Sequence, residues 1–324
     1  MISIERIIDM HANNFELIGT SNRIGKIHHL IKKIAPHTNV DVLIEGETGT
    51  GKELVARSIH YYSPNKDKKF IAINCTAIPH ELVESEFFGH EKGSFTSAVS
   101  SRIGKFEAVS DGSLLLDEIG DMDFSLQAKI LRVLENREFT RVGRNEPIHF
   151  KGRIIATTNK VLIDRVRTGE FRADLFYRLF QFMISIPPLR ERKEDVPLLA
   201  NYFLSKAKEQ IKKNVQRINP HAMDMLIRHD WPGNVRELKH VITKAVILAE
   251  KNEISQKDVL TINELPNKKN EFTISLDRPL EEIEKHVIMN TLCYYNNNKK
   301  RVAKSLGISE ATLYRKMKKI NHLT

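Results

Sequence analysis

Apolar positions along this chain fall into two patterns. Five short runs, at 40–45, 70–74, 113–117, 153–158 and 181–186, are β-rich and mostly apolar on both faces. Parallel strands covered by helices on either side read this way. Pro187-Pro188 ends the last run and closes the α/β part. From Val196 to about Ala249 the period is helical only, which predicts a small all-α subdomain. Residues 252–279 are polar and carry Pro266, Pro279 and the Lys268-Lys269-Asn270 run, the composition of a linker. Two helical segments follow, at 280–295 and 299–319, the second broken at Gly307. The expected organisation is a lead-in helix over 1–14, an α/β subdomain over 15–187 with a five-stranded parallel sheet, an all-α subdomain over 188–252, a linker over 253–278 and a C-terminal helical domain over 279–324.

Composition narrows the class. Charged residues make up 28% and apolar residues 41%, which suits a soluble globular chain with a real core. No basic flank and apolar run opens the sequence, so no signal peptide is expected, and no stretch approaches the roughly 20 apolar residues of a membrane helix. The two cysteines, Cys75 and Cys293, make no disulfide framework, and a cytoplasmic location is expected. No Cys/His cluster has zinc-ligand spacing. The net charge is +10, and seven of those charges lie in the last 29 residues, where eight basic residues face one acid, Glu310. Such a tail is either a solvated helix or an electrostatic footprint for nucleic acid.

The first chemistry lies after the first run. Gly46-Glu47-Thr48-Gly49-Thr50-Gly51-Lys52-Glu53 follows a strand and opens a helix, the context of a phosphate-binding loop. Glycines let successive N–H groups face the phosphates, the helix N-terminus adds its dipole, and Lys52 supplies charge to the β- and γ-phosphates. Glu53 stands where the general pattern puts a magnesium-binding Ser or Thr. Leu114-Leu115-Leu116-Asp117-Glu118 is the second half of the site, an apolar strand ending in two acids at the edge where ligands sit in open α/β sheets. Asp117 would hold Mg²⁺ and Glu118 would polarise the attacking water. The candidate nucleotide-binding stretch is taken back to Val109-Ser110-Asp111-Gly112-Ser113.

The C-terminal end predicts a helix-turn-helix. Lys299-Lys300-Arg301-Val302-Ala303-Lys304-Ser305-Leu306 has an apolar face at Val302, Ala303 and Leu306, Gly307 suits a left-handed C-cap, and Ser309 can cap the next helix. Leu313 and Met317 face the core, Thr312 and Arg315 can reach base edges, and Lys316 and Lys319 suit phosphates. A plain helical hairpin used for dimerisation is the alternative. Residues 280–292 form the preceding helix and a dimer face.

These motifs, with further ordered stretches, resemble the bacterial sigma-54-dependent transcriptional activators, or enhancer-binding proteins, over 15–319. The stretches are Glu86-Phe87-Phe88-Gly89-His90-Glu91 leading into Gly93-Ser94-Phe95-Thr96-Ser97-Ala98, then Gln127 to Leu134, Ala156-Thr157-Thr158-Asn159, Phe171 to Leu179, and Trp231-Pro232-Gly233-Asn234-Val235-Arg236-Glu237-Leu238. In that family Glu after the loop lysine is usual, so Glu53 is a family mark. The resemblance implies an AAA+ ATPase using ATP and Mg²⁺, with a lid and a Fis-type helix-turn-helix. It implies that Asn74 pairs with Glu118, that Asn159 senses the γ-phosphate, that Arg172 and Arg178 reach a neighbouring subunit's nucleotide, and that Arg236 reports nucleotide state. It also implies that Phe95 and Thr96 touch sigma-54. The family usually reads Gly-Ala-Phe-Thr-Gly-Ala where this chain has Ser94 and Ser97.

The resemblance further implies a homo-oligomeric ring, a hexamer, with dimeric ends on upstream DNA, remodelling sigma-54 RNA polymerase, and no membrane partner. The AAA+ part begins almost at once, leaving no room before it for a receiver or ligand-sensing domain of roughly 100 residues. Expression level, a separate regulatory protein or assembly on DNA is the expected control. Ser94 and Ser97 leave a rival open, a DNA-binding regulator of the same scaffold that acts without sigma-54. A general remodeller anchored by its basic tail is the other.

Overall fold

The computed structural model describes residues 17–95, 98–260, 279–294 and 298–321, without the side chains at 80–81, 260, 280–281, 293–294 and 318–321. The lead-in expected over 1–14, Thr96, Ser97 and most of the expected linker lie outside the described residues. Two compact units, Met1–Asn263 and Glu264–Thr324, make up the chain.

In the first unit, strands β1 (Val42–Glu45), β2 (Phe70–Asn74), β3 (Ser113–Asp117), β4 (Arg153–Thr158) and β5 (Met183–Ser185) form one sheet, ordered β2-β3-β4-β1-β5. All four pairings are parallel. Side chains alternate between two clusters. Leu43, Leu114, Leu116, Ile154 and Ala156 enter one; Val42, Ile44, Leu115, Ile155 and Ile184 enter the other. Both faces are therefore dry, which is why the strands show no polar alternation. Strands β1 and β5 are shorter than their apolar runs. β1 starts at Val42 because the buried Asp41 carboxylate accepts the Ile154 N–H at 3.0 Å and Arg137 Nη2 at 2.6 Å. Burial pushes the Asp41 carboxyl above its ordinary range, against the pull of Arg137.

Helix α1 (Asn22–Ile34) buries Ile24, Ile27, Ile31 and Ile34, a three-to-four spacing that makes one apolar stripe. Helix α2 (Lys52–Tyr61) opens directly after the glycine-rich loop. Helices α3 (Phe124–Asn136) and α4 (Ala173–Leu179) pack together at one flank of the sheet. Beyond β5, α5 (Val196–Ile211), α6 (Pro220–Arg228) and α7 (Asn234–Leu248) surround Trp231, whose indole N–H donates to the Leu226 carbonyl at 2.8 Å.

Two expectations are corrected in this lid. It is not wholly helical, because Arg217–Ile218 and Glu253–Ile254 pair as a parallel two-stranded ladder. Each strand contributes a single buried isoleucine, too short a signal to show a period of two. The linker does not begin at 253 either. Ile254 and Val259, the latter on α8 (Gln256–Leu260), are buried in the lid cluster, so 253–260 belongs to the lid.

The second unit holds α9 (Leu280–Tyr294), α10 (Lys299–Ser305) and α11 (Glu310–Asn321) around Ile288, Leu292, Val302, Ala303 and Leu313. Gly307 has φ +66°, the Gly307 N–H donates to Lys304 O at 3.3 Å, and the Ile308 N–H donates to Ala303 O at 3.1 Å. Those two bonds satisfy the helix's last carbonyls and turn the chain into α11. Asn298 and Ser309 cap the two helices, accepting from Arg301 N and Thr312 N at 3.2 Å each. Among the described residues no helix is long and apolar enough to cross a membrane.

Candidate functional site

The glycine-rich loop leaves β1 at the C-terminal edge of the sheet. Gly49 and Gly51 have φ of +82° and +107°, where a side chain is strained. A Cβ on Gly49 would also lie 2.3 Å from the Gly233 carbonyl of the lid. Hydrogen bonds tie the loop to the lid. Arg190 grips Glu47 through two bonds of 2.6 and 2.8 Å, Asn234 Nδ2 donates to Glu47 Oε2 and to Thr48 O at 3.1 Å each, the Val235 N–H donates to Gly49 O at 3.0 Å, and Arg192 Nη2 donates to Thr50 O at 3.2 Å. Asn234 is wholly buried with φ +53°, an uncommon backbone state that these bonds compensate. Gly46 holds its place by donating to Thr158 O at 3.1 Å.

Lys52 is 7% exposed and reaches back, donating to Gly46 O at 3.0 Å and standing 3.3 Å from Glu118 Oε1. Glu53 turns away along α2 to Arg57 and does not join this group. Leu114, Leu115 and Leu116 are buried in the sheet and deliver Asp117 and Glu118 to its edge. Glu118 has φ +55°, and its Oε2 accepts the Asn159 N–H at 3.0 Å. Asn159 Nδ2 donates to Thr48 Oγ1 at 3.0 Å, so loop, lysine, acid and asparagine form one constellation.

Beside it lies a cleft of about 1090 Å³. The loop, Lys52, Asp117, Glu118 and Arg236 line its polar end, and Leu17, Ile18, Leu199, Tyr202, Phe203 and Val235 line its apolar part. This arrangement can seat phosphates at the loop and a flat apolar base between the first unit's N-terminal segment and its lid. The donor set also fits Mg²⁺, a hard cation that takes one or two carboxylates plus phosphate oxygens and water. Asp117 is the carboxylate in position, with Oδ1 engaged by Thr157.

Some predicted site residues lie elsewhere. Val109, Ser110, Asp111, Gly112 and Ser113 sit at the N-terminal end of β3, about 13 Å of strand from Asp117, and do not line the cleft. Gly112 there packs on the Lys69 backbone, and its N–H and carbonyl bridge Val109 and Arg153. Asn74 is not paired with Glu118. Its Oδ1 accepts from Thr76 N at 2.9 Å and Thr76 Oγ1 at 2.7 Å, while Lys52 and Asn159 hold Glu118. Both arginines lie on or beside α4. Arg172 pairs with Asp174 at 2.8 Å, and Arg178 Nη2 donates to Leu134 O at 2.9 Å.

The loop after Gly89 is anchored at its base. Phe95 packs edge-on against His90 with ring centres 5.0 Å apart, and Ser94 Oγ donates to Glu91 O at 2.8 Å. Gly143, with φ +83°, admits Ser94, since a Cβ there would lie 2.7 Å from the serine's own Cβ. Thr96 and Ser97 lie outside the described residues.

In the second unit Lys300, Arg301 and Arg315 are exposed on α10 and α11. Lys299 sits over the Tyr314 ring at 4.6 Å, Thr312 Oγ1 bonds Ser309 Oγ at 2.9 Å, and Lys316 is paired with Glu284 of α9. The Lys319 side chain is outside the described set.

The sigma-54 interaction domain family matches residues 17–185, the AAA+ ATPase lid domain 190–272, and the Fis family of bacterial regulatory proteins 279–319. The chain belongs to the sigma-54-dependent transcriptional activators. It is 43% identical over 307 residues to the transcriptional regulatory protein ZraR of Salmonella typhimurium, covering 94% of this chain and 69% of ZraR. It is 45% identical to the regulatory protein AtoC of Escherichia coli, covering 86% of this chain and 62% of AtoC. With the nitrogen fixation protein AnfA of Azotobacter vinelandii the identity is 42%, over 92% of this chain and 56% of AnfA. Crystal structures of NtrX from Brucella abortus in complex with ADP and with ATP superpose with TM-scores of 0.71 and 0.70, at 32% and 33% identity, over 97% of this chain and 72% and 71% of NtrX. An activator of this family carries a sigma-54-contacting AAA+ module, which implies ATPase activity, and a DNA-binding Fis-type end.

Sequence reasoning missed the Glu47–Arg190–Asn234 clasp and Thr157. The clasp joins residues 143 and 187 apart, and nothing local announces it. Thr157 did carry a signal, a hydroxyl directly after the apolar Ile154-Ile155-Ala156 run of β4. Cys75, beside the acid pair, is buried, and its thiol is pushed up to about 12, first by burial and then by Asp117 and Glu118. Iodoacetamide at pH 8 is therefore expected to leave Cys75 unmodified in the native protein and to alkylate it in urea, as read by peptide mass mapping.

Proposed function

We propose that this activator hydrolyses ATP in a closed ring of its own copies and uses the cycle to open sigma-54 RNA polymerase at promoters whose upstream DNA its C-terminal units hold. The convergence of Lys52, Asp117, Glu118 and Asn159 at one sheet edge carries this reading. Phosphates sit against Lys52 and the loop N–H groups. Asp117 would hold Mg²⁺, which offsets phosphate charge. A water oxygen attacks the γ-phosphorus, the bond to the ADP oxygen breaks, and the water's proton passes to the Glu118 carboxylate. Asn159 spans Glu118 and Thr48, so a γ-phosphate entering between them competes for those same bonds. Arg172 and Arg178 act on the neighbouring copy's nucleotide, and Phe95 with Thr96 touches sigma-54. Ser94 supports a working loop, because its hydroxyl bonds Glu91 O and closes the loop's base. The protein acts in the cytoplasm.

Arg315 and Lys300 would contact DNA differently. If Arg315 reads a base edge, Arg315→Ala lowers specific binding by about 1–3 kcal/mol and relaxes one position, whereas Lys300→Ala weakens all sequences alike. Footprints at rising salt separate the two. The ring is tested by sedimentation of Glu118→Gln with Mg²⁺ and ATP. A closed oligomer is expected, and a species no larger than a dimer at every concentration overturns that part of the reading.

A further inference from the structure

The registers of β3 and β4 put Thr157 beside Asp117, one step past the Leu116–Ala156 pair. Thr157 is wholly buried. Its hydroxyl hydrogen goes to Asp117 Oδ1, and its oxygen accepts the Glu118 N–H at 3.3 Å. One hydroxyl therefore holds the side chain of the first acid and the backbone of the second.

Each half matters for a different reason. Asp117 lines the cleft, and fixing its Oδ1 fixes the direction of Oδ2. A carboxylate at the end of a strand otherwise has a broad terminal torsion. Glu118 has φ +55°. A non-glycine residue in that region is strained and persists only where its surroundings over-determine it. The Thr157 oxygen meets the very N–H that this conformation presents, while Asn159, two residues on and just past the end of β4, takes the Glu118 carboxylate. The end of β4 thus grips Glu118 at both backbone and side chain.

We propose that Thr157 is a positioning residue for ATP hydrolysis, aiming Asp117 and holding Glu118 in its left-handed turn. This rests on the catalytic roles given above to Asp117 and Glu118. Valine has the shape of threonine and lacks the hydroxyl; serine keeps the hydroxyl. The experiment compares Thr157→Val, Thr157→Ser and Glu118→Gln in the full chain. It measures kcat and KM for ATP, the Mg²⁺ dependence of binding of a non-hydrolysable ATP analogue, and Tm. Thr157→Val is expected to lower kcat at least tenfold and to raise the Mg²⁺ needed for half-maximal analogue binding, with KM within about threefold. Thr157→Ser is expected to recover kcat to within about threefold even if its Tm falls with that of valine. Equal kcat losses in serine and valine, tracking Tm, would reduce Thr157 to packing and overturn the proposal. So would full turnover in Thr157→Val beside an inactive Glu118→Gln. Full turnover in Glu118→Gln would instead sink the catalytic reading itself, whatever Thr157 does.

Discussion

Glu118→Gln is expected to bind ATP with near-normal affinity and hydrolyse it about 10²–10⁴ times more slowly, the range of a lost general base. Glutamine keeps the size of the side chain and one carbonyl oxygen, so the bond from the Asn159 N–H at 3.0 Å survives. What disappears is the negative charge facing Lys52 at 3.3 Å and the capacity to take a proton. Lys52 and the loop are untouched, and phosphate binding rests on them. A filter assay for bound ATP beside a steady-state phosphate-release assay checks both halves at once. Equal loss of binding and turnover would mean that Glu118 mainly holds Lys52 in place.

The second large effect is in trans. Arg178→Ala is expected to lower turnover about 10³-fold, the low end for an arginine that neutralises transition-state charge. In the isolated chain Arg178 donates to Leu134 O at 2.9 Å and to Gln181 Oε1 at 2.6 Å, and lies 3.7 Å from Asp41. It must give up this carbonyl bond, about 1 kcal/mol net, to serve a neighbour. Tyr177 beside it is 67% exposed and Phe180 46%, an apolar surface next to the arginine. Mixing decides the matter. Arg178→Ala supplies an intact Glu118, and Glu118→Gln supplies an intact Arg178. An equimolar mixture should regain about a quarter of wild-type turnover, the share of interfaces complete in a random ring. Two inactive proteins that stay inactive when mixed, with a lowered Tm for Arg178→Ala, would make Arg178 a brace for Leu134 and Asp41 only.

How much of this could be read along the chain depends on the range of each interaction. Strands β3 and β4 were legible because both of their faces are covered and few polar residues interrupt them. The loop and acid pair were legible because strand, glycines, lysine and helix are contiguous. The turn at Gly307 was legible for the same reason. The run at 40–45 opened β1 two residues early, since nothing local shows that the Asp41 carboxylate is spent on Ile154 and Arg137. The Glu253–Ile254 strand was lost because its partner lies 36 residues back, at Arg217–Ile218. Val109 to Ser113 were drawn into the nucleotide site by closeness in sequence to Asp117, but a strand carries its two ends to opposite edges of the sheet. Asn74 faces Asp117 across the β2–β3 register, yet its side-chain oxygen turns to Thr76. That choice is made by rotamers, which sequence spacing does not specify.

The most direct test of the whole account is open-complex formation on a sigma-54 promoter bearing an upstream site, with purified activator, sigma-54 holoenzyme and ATP, scored by heparin resistance. The account predicts complexes that require hydrolysable ATP and vanish with Glu118→Gln and with Thr96→Ala. Normal ATP hydrolysis and specific upstream footprints with no open complexes would contradict it, and would mark the protein as a DNA-binding regulator that acts without sigma-54.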